Sequence, residues 1–341
     1  MPTRYVTGPR LWLAMATVYV IWGSTYLGIA IAIETMPPFL MAAFRFAVAG
    51  LLLLGWDVLR DPAARHMPTR RELVHSAVVG ILLLGIANGF VAFGEQTVPS
   101  GIAAILIGMV PLWLALLGWV YYRDRLPRIV VIAIVVGFAG VALLLWPAGV
   151  GANSFDLVGV LVLIAAPIAW AHGSLLAARS SSLPKRPLTA SGLQMLAAAI
   201  FLVGEGLLTG EASQVHPETF SPASIAAVAY LVVFGSMLAY TAYGWLLRHA
   251  PISLVGTYAY VNPVVAVGLG TIFLHEEISP RTLLASAIVL GAVAMIVTAR
   301  GRATRAANAE RRADEATVER PGSDRSAGIG RLPAPPRAPS D

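Results

Sequence analysis

The chain of 341 residues is 57% hydrophobic and 12% charged, with a mean hydropathy of +0.74, which excludes a soluble globular domain and marks a protein that crosses a membrane many times. It has no cysteine, so disulfides, thiolate catalysis and cysteine-based metal sites are excluded together. The net charge of +6 does not indicate a nucleic-acid partner, because nine arginines fall at or after residue 300 and most other basic residues lie in short loops.

Ten apolar segments of membrane-spanning length follow one another, near residues 11–33, 38–57, 73–94, 99–121, 129–147, 156–178, 188–209, 222–246, 251–274 and 281–299. The first exceeds a signal-peptide core, although Ala30-Ile31-Ala32 mimics a cleavage site, and it is expected to be retained. Arg4 and Arg10 precede segment 1; Arg60, Arg65, Arg70 and Arg71 follow segment 2; Arg123, Arg125 and Arg128 follow segment 4. Arg179, Lys185 and Arg186 follow segment 6, and Arg248 follows segment 8. The alternate loops carry Glu34, Glu95, Asp156, Glu211, Glu218, Glu276 and Glu277, with Arg281 as their one base. This bias predicts that both termini face the cytoplasm.

The stretch GEQTVPSGIAAILIGMVP, ending at Pro111, returns as LRHAPISLVGTYAYVNP, ending at Pro263, with Pro99 falling on Pro251 at the same offset. Each copy reads as a proline that opens a helix, where its missing N–H costs nothing, followed by a second proline about 18 Å along, where it costs a hydrogen bond near mid-membrane. A carbonyl freed there must be satisfied by protein or by a wet cavity, which places a site between the copies. The repeat extends to PFLMAAFR, ending at Arg45, against PLTASGLQ, ending at Gln194, and loosely to Trp22-Gly23-Ser24 against Trp170 to Ser174. The fold expected is therefore an all-α integral membrane protein of ten transmembrane helices in two five-helix repeats, residues 1–150 and 151–299, inverted because five is odd. Residues 300–341, rich in Arg, Ala and Pro, are expected to form a disordered cytoplasmic tail that orients the chain or binds lipid.

Three stretches, IWGSTYLGIAIAIETMPPFLMAAFRF, GEQTVPSGIAAILIGMVPLW and TYAYVNPVVAVGLGTIFLHEEIS, resemble the EamA-type drug/metabolite transporter family over about residues 11 to 299. The resemblance implies a ten-helix inverted-repeat carrier of a bacterial inner membrane that exports or exchanges small metabolites, with helices 5 and 10 acting as scaffold. It implies no particular substrate.

Arg45 is the only arginine well inside an apolar segment, roughly 10 Å from the Pro38 end. It reads either as an anchor for an anionic or zwitterionic substrate or as a structural partner of Glu34, Glu95 or free carbonyls. Asn88 lies at the same depth, facing the cavity or bonding a neighbouring helix. Trp22 suits a cavity wall; Ser24 lies beside it, in a small-residue run that also suits helix packing. Tyr258, Tyr260, Asn262 and Pro263 make the polar part of segment 9, while segment 4 up to Pro111 is bare, so substrate contacts are sought mainly in the second copy. Glu95 reads as a cap beside the positive end of helix 4, or as a guard or proton carrier at the mouth. His172 reads as an interface histidine or a proton shuttle. His275-Glu276-Glu277 reads as a solvated turn, and Glu205 receives no role.

A secondary transporter of a small metabolite, amino acid or drug-like amphiphile working by alternating access follows, with export as what the family resemblance alone implies and a passive channel as the alternative. An enzyme is not expected, because the helices offer isolated groups instead of paired acids, a Ser/His arrangement or a metal cluster. No cofactor or metal is called for, and the partners expected are a small-molecule substrate and the lipid bilayer. Proton coupling and the choice between monomer and homodimer stay open.

Overall fold

Prolines open five of the long helices. The computed structural model describes residues 8–61, 67–124, 126–145, 156–276 and 278–318. Its apolar helices are α1 (Pro9–Ile33), α2 (Pro38–Arg60), α3 (Arg70–Gly94), α4 (Ser100–Tyr122), α5 (Arg128–Leu145), α6 (Leu157–Arg179), α7 (Pro187–Leu208), α8 (Pro222–His249) and α10 (Pro280–Ala299). Among the described residues these nine are long and apolar enough to cross a membrane; α9 (Tyr258–Phe273) is shorter and follows a single turn, Ile252–Val255. The fold is all-helical, with nine to ten membrane-spanning helices in two repeats. Arg4, Arg65, Arg125 and Glu277, used above to orient the chain, lie outside the described residues, as do residues 319–341 of the expected tail.

The chain forms two compact units, Met1–Gly301 and Arg302–Asp341. In the second, residues 302–318 are helical, where no regular structure was expected after Arg300. Their Ala, Arg and Glu content favours helix by intrinsic propensity even without an apolar face.

Within the first unit the helices pair as a two-fold relation between repeats requires. α2 packs on its counterpart α7, α4 on α9, and the mixed pairs α1 with α8 and α3 with α6 complete the set. The α2–α7 pair is the most extensive and is close enough at its crossing that a Cβ on Gly50 would sit 2.9 Å from the Gly192 carbonyl oxygen. Close backbone approach of this kind is how helices associate when lipid supplies no hydrophobic drive.

The inner prolines act differently in the two copies. Pro111 breaks α4 into Ser100–Ile107 and Val110–Tyr122, and the proline opens the second piece. Pro263 stays inside α9, whose break comes earlier, between Val255 and Tyr258. The Ala259 carbonyl that Pro263 frees faces Gly108, where a Cβ would stand 2.9 Å from the oxygen, so a glycine at the α4 break lets the fourth helices cross. Three other spans widen into π-helical turns, at Val18–Trp22, Ile81–Ile86 and Leu231–Tyr240. Such turns shift the facing of the side chains that follow them and recur at functional sites.

Acids tie the repeats together at both ends of the bundle. At the end carrying Glu95, the Glu211 carboxylate accepts from the Phe39 and Leu40 amides (3.1 and 2.8 Å) at the start of α2. There too Glu276 accepts from the Ser100 amide (2.8 Å), the Ser100 hydroxyl (2.6 Å) and the Gly101 amide (3.0 Å) at the start of α4. At the opposite end Arg186, just before α7, grips Asp57 of α2 through Nη2 (2.6 Å) and Nε (3.1 Å) and reaches Asp61 at 2.6 Å. Glu211 and Glu276 thus satisfy amides that helix starts leave without intrahelical partners.

Candidate functional site

The helices α1, α2, α3, α4, α6, α8 and α9 converge on a central cavity of about 60 Å³. That is room for a few waters and for no metabolite. All three π-helical segments reach its wall, through Trp22, Leu84 and the pair Gly235 and Tyr240. Among the described residues neither α5 nor α10 contributes to it, in keeping with the scaffold role that the family resemblance implies.

Two tryptophans at matching repeat positions form its aromatic side. Trp22 and Trp170 meet edge to face with centroids 5.2 Å apart, and Tyr243 and Tyr258 pack on Trp22 at 4.8 and 5.4 Å. Both indole N–H groups are satisfied, Trp22 by the Gly235 carbonyl (3.3 Å) and Trp170 by the Tyr243 hydroxyl (3.2 Å). The ring faces, and not the N–H groups, are therefore what the pair offers a ligand.

Arg45 enters the cavity from α2 and is 4% exposed. Its Nε donates to the Ser236 hydroxyl (2.8 Å), and its guanidinium lies 4.8 Å from the Phe46 ring and against Gly235. None of the ion pairs among the described residues involves it, so the expected partnership with Glu34 or Glu95 is not formed. Its repeat counterpart Gln194 accepts from the Tyr240 hydroxyl (2.6 Å). Both members of the pair thus brace the same π-helical stretch of α8. Tyr240 also lines a second cavity of about 20 Å³ toward the Asp57 end, so its ring stands between the two spaces.

Asn88 lies in the wall and donates to the Leu83 carbonyl (3.3 Å) across its own widened turn, not to a neighbouring helix. Asn262 also lines the cavity; with its amide oriented by the surrounding acceptors, its nitrogen donates to the Tyr19 and Tyr258 carbonyls (3.1 and 3.2 Å). Trp22, Arg45, Asn88, Tyr258 and Asn262 are thus brought together.

The other candidates stand apart from the cavity. Ser24 is spent on the Ile21 carbonyl (2.8 Å) and the Tyr230 hydroxyl (2.5 Å). Tyr260 is half-buried outside the wall. Pro111 and Pro263 are buried and do not line the cavity. His172 is held by the Tyr121 hydroxyl (2.7 Å) and the Ile168 carbonyl (2.9 Å), an interface arrangement. Glu95 caps nothing: the start of α4 is taken by Glu276, and both Glu95 carboxylate oxygens are buried without a hydrogen bond. Glu276 correspondingly leaves the solvated turn in which the sequence placed it. Thr25, Tyr26, Phe46, Gly235 and Tyr240 are lining residues that sequence reasoning missed. Of these, only the Trp22–Thr25 run carried a signal, read as packing.

The EamA-like transporter family model matches this chain twice, over residues 10–146 and 157–298. The chain belongs to the EamA-like transporter family. Among similar proteins, the inner membrane transporter YedA of Escherichia coli K12 is 37% identical over 284 residues, covering 83% of this chain and 89% of YedA. The transporter YvbV of Bacillus subtilis is 25% identical over 87% of this chain and 94% of its own length. A probable amino-acid metabolite efflux pump of Escherichia coli K12 is 22% identical over 80% of this chain and 90% of its own length. One solved crystal structure, 22% identical, superimposes with a TM-score of 0.62 over 86% of this chain and 98% of that one, and shares the fold. This EamA-like chain is a membrane protein of a transporter family, with its cavity where the two matched halves meet.

Proposed function

We propose that this EamA-like protein is a secondary transporter that exports a small amphiphilic metabolite bearing a carboxylate, an amino acid or a drug-like acid among them, across a bacterial inner membrane. The observation that carries the reading is Arg45: a buried cation with no acid in ion-pair range among the described residues, set in the same wall as the Trp22 and Tyr258 rings. A guanidinium so placed offers charge-assisted hydrogen bonds to a carboxylate, and the rings offer faces to its apolar part. The small cavity and the acid-mediated ties at both ends support a contracted state between two open ones, with one repeat rocking against the other. On the charge bias of the loops, both termini face the cytoplasm, the Asp57 end is cytoplasmic and the Glu95 end is outer.

A passive facilitator is the second reading, favoured by the scarcity of titratable groups in the cavity wall. Purified protein in liposomes separates the two. Amino acids and amphiphilic amines are tested for saturable flux and for counterflow, in which an unlabelled gradient drives uphill movement of label. Counterflow restricted to carboxylate-bearing compounds supports the proposal; flux that neither saturates nor counterflows sinks it.

A further inference from the structure

Glu95 stands at the junction of α3 and α4, more than nine-tenths buried, with neither carboxylate oxygen bonded. Tyr26 of α1 and Glu276 of the connection after α9, the latter docked at the start of α4, lie within electrostatic reach of it. α2 and α6 bring the apolar Phe39 and Leu163 to the same end of α3. The other nearby acids are committed, Asp156 to the Gly159 amide and Glu211 to the start of α2. Glu276 itself has three donors at the start of α4, where a negative charge is favoured. A second unsolvated carboxylate facing it is stable only with its proton on. Burial, with the charge of Glu276 adding to it, holds the Glu95 carboxyl well above its ordinary value of 4.5.

The repeat shows that this pairing belongs to one end. In the register that sets Pro99 on Pro251, Glu276 falls on Asp124, and each follows a residue with a left-handed backbone, His275 (φ 55°) and Arg123 (φ 56°). The acid that ends the fourth helix is thus built into both repeats. Glu95, however, falls on Leu247, so the Asp57 end has no buried acid at the matching place.

We infer that Glu95 is a proton-binding site that controls the tie between Glu276 and α4. Protonated, it leaves Glu276 on the Ser100 and Gly101 amides and the Glu95 end stays shut; ionised, it repels Glu276 and that end opens. The step is a simple ionisation, with the proton leaving to the outer solution on opening and returning on closing. Because Glu95 lies outside the cavity wall, it senses outer pH and carries no proton across. Tyr26, which lines the cavity and lies within electrostatic reach of Glu95, links the two places. The inference rests on the alternating-access reading above.

The test uses the full chain, whose lack of cysteine allows a single reporter, Ala87→Cys, in the cavity wall. A membrane-impermeant maleimide is applied to right-side-out and inside-out vesicles across a range of pH. Rates are divided by those of Ala87→Cys/Glu95→Gln at the same pH, which cancels the titration of the thiol. The expected ratio on the outer side climbs with pH, by about tenfold for each pKa unit separating the shut and open forms. Ala87→Cys/Glu276→Gln labels fast at every pH. Should Glu95→Gln fold poorly, Glu95→Leu, copying the counterpart Leu247, replaces it. A flat ratio in protein that labels from both sides, or a Glu276 variant no faster than its parent, overturns the proton site and leaves alternating access standing. A reporter reached from neither side in folded protein overturns both.

Discussion

Replacing Arg45 with methionine separates a substrate anchor from a structural cation by the sign of two effects. The side chain is almost wholly buried, and its visible bond is to the Ser236 hydroxyl at 2.8 Å. Losing a hydrogen bond to a charged group costs about 1.5–3 kcal/mol, whereas removing a buried charge without an ionic partner returns several kcal/mol of desolvation. Methionine removes the guanidinium that lies over Phe46 and leaves a shorter apolar side chain in the buried site, so thermal stability in detergent should hold or rise. Binding moves the other way. A guanidinium–carboxylate contact worth about 1.5–3 kcal/mol corresponds to roughly 10- to 150-fold in apparent affinity. The same substrate as its methyl ester should bind the parent and Arg45→Met equally. Proteoliposome flux at graded concentrations of acid and ester reads this directly. A variant that loses stability but transports the acid with unchanged KM would refute the anchor and return Arg45 to the role of a brace on α8.

Gly108→Ala should destabilise by about 1–3 kcal/mol, because its Cβ meets the Ala259 carbonyl oxygen at 2.9 Å and α4 and α9 must part; a thermal melt that does not move would show that the crossing gives way freely. Asp57→Asn should weaken the tie to Arg186 and raise labelling of an Ala190→Cys reporter from the Asp57 end, Ala190 lying in the wall of the second cavity; unchanged labelling would show that the ion pair does not hold that end. Glu211 has its carboxyl raised above 4.5, by burial first and against the opposing pull of the Leu40 and Phe39 amides. Between the ordinary and the raised value the folded state binds more protons than the unfolded state, so stability should fall as pH rises through that window. Glu211→Gln should flatten the slope, and an unaltered pH profile of thermal stability would contradict this.

What the sequence made legible is what depends on local composition and on repeat register. Span positions follow from apolar length. The meeting of α4 with α9 follows from Pro99, Pro111, Pro251 and Pro263, and the pairing of Trp22 with Trp170 follows from the looser match of the first helices of the two repeats. What stayed hidden depends on contacts between distant residues. The run Leu231–Tyr240 has no charge or amide to draw attention, yet its π-helical turns bring Gly235 and Tyr240 into the cavity and Ser236 to Arg45. Glu95 is next to α4 in the chain and was given its cap on that ground, but the cap comes from Glu276, and nothing in a short acidic run after α9 announces where its carboxylate docks.

Arg45 and Gln194 show that matching positions of an inverted repeat carry different chemistry. They occupy one repeat position and both hold α8, through Ser236 and Tyr240. Only Arg45 brings a charge, and it faces the central cavity, while Gln194 faces the smaller space toward the Asp57 end. A symmetric carrier would present the same chemistry on either path. On the proposed reading, an anion at Arg45 would compete with Ser236 for the guanidinium and loosen one brace of α8, while Tyr240, bonded to Gln194, would keep the other. On the alternating-access reading proposed above, the repeat would supply the two states, and the departures from it, arginine against glutamine and Glu95 against Leu247, would distinguish one direction from the other.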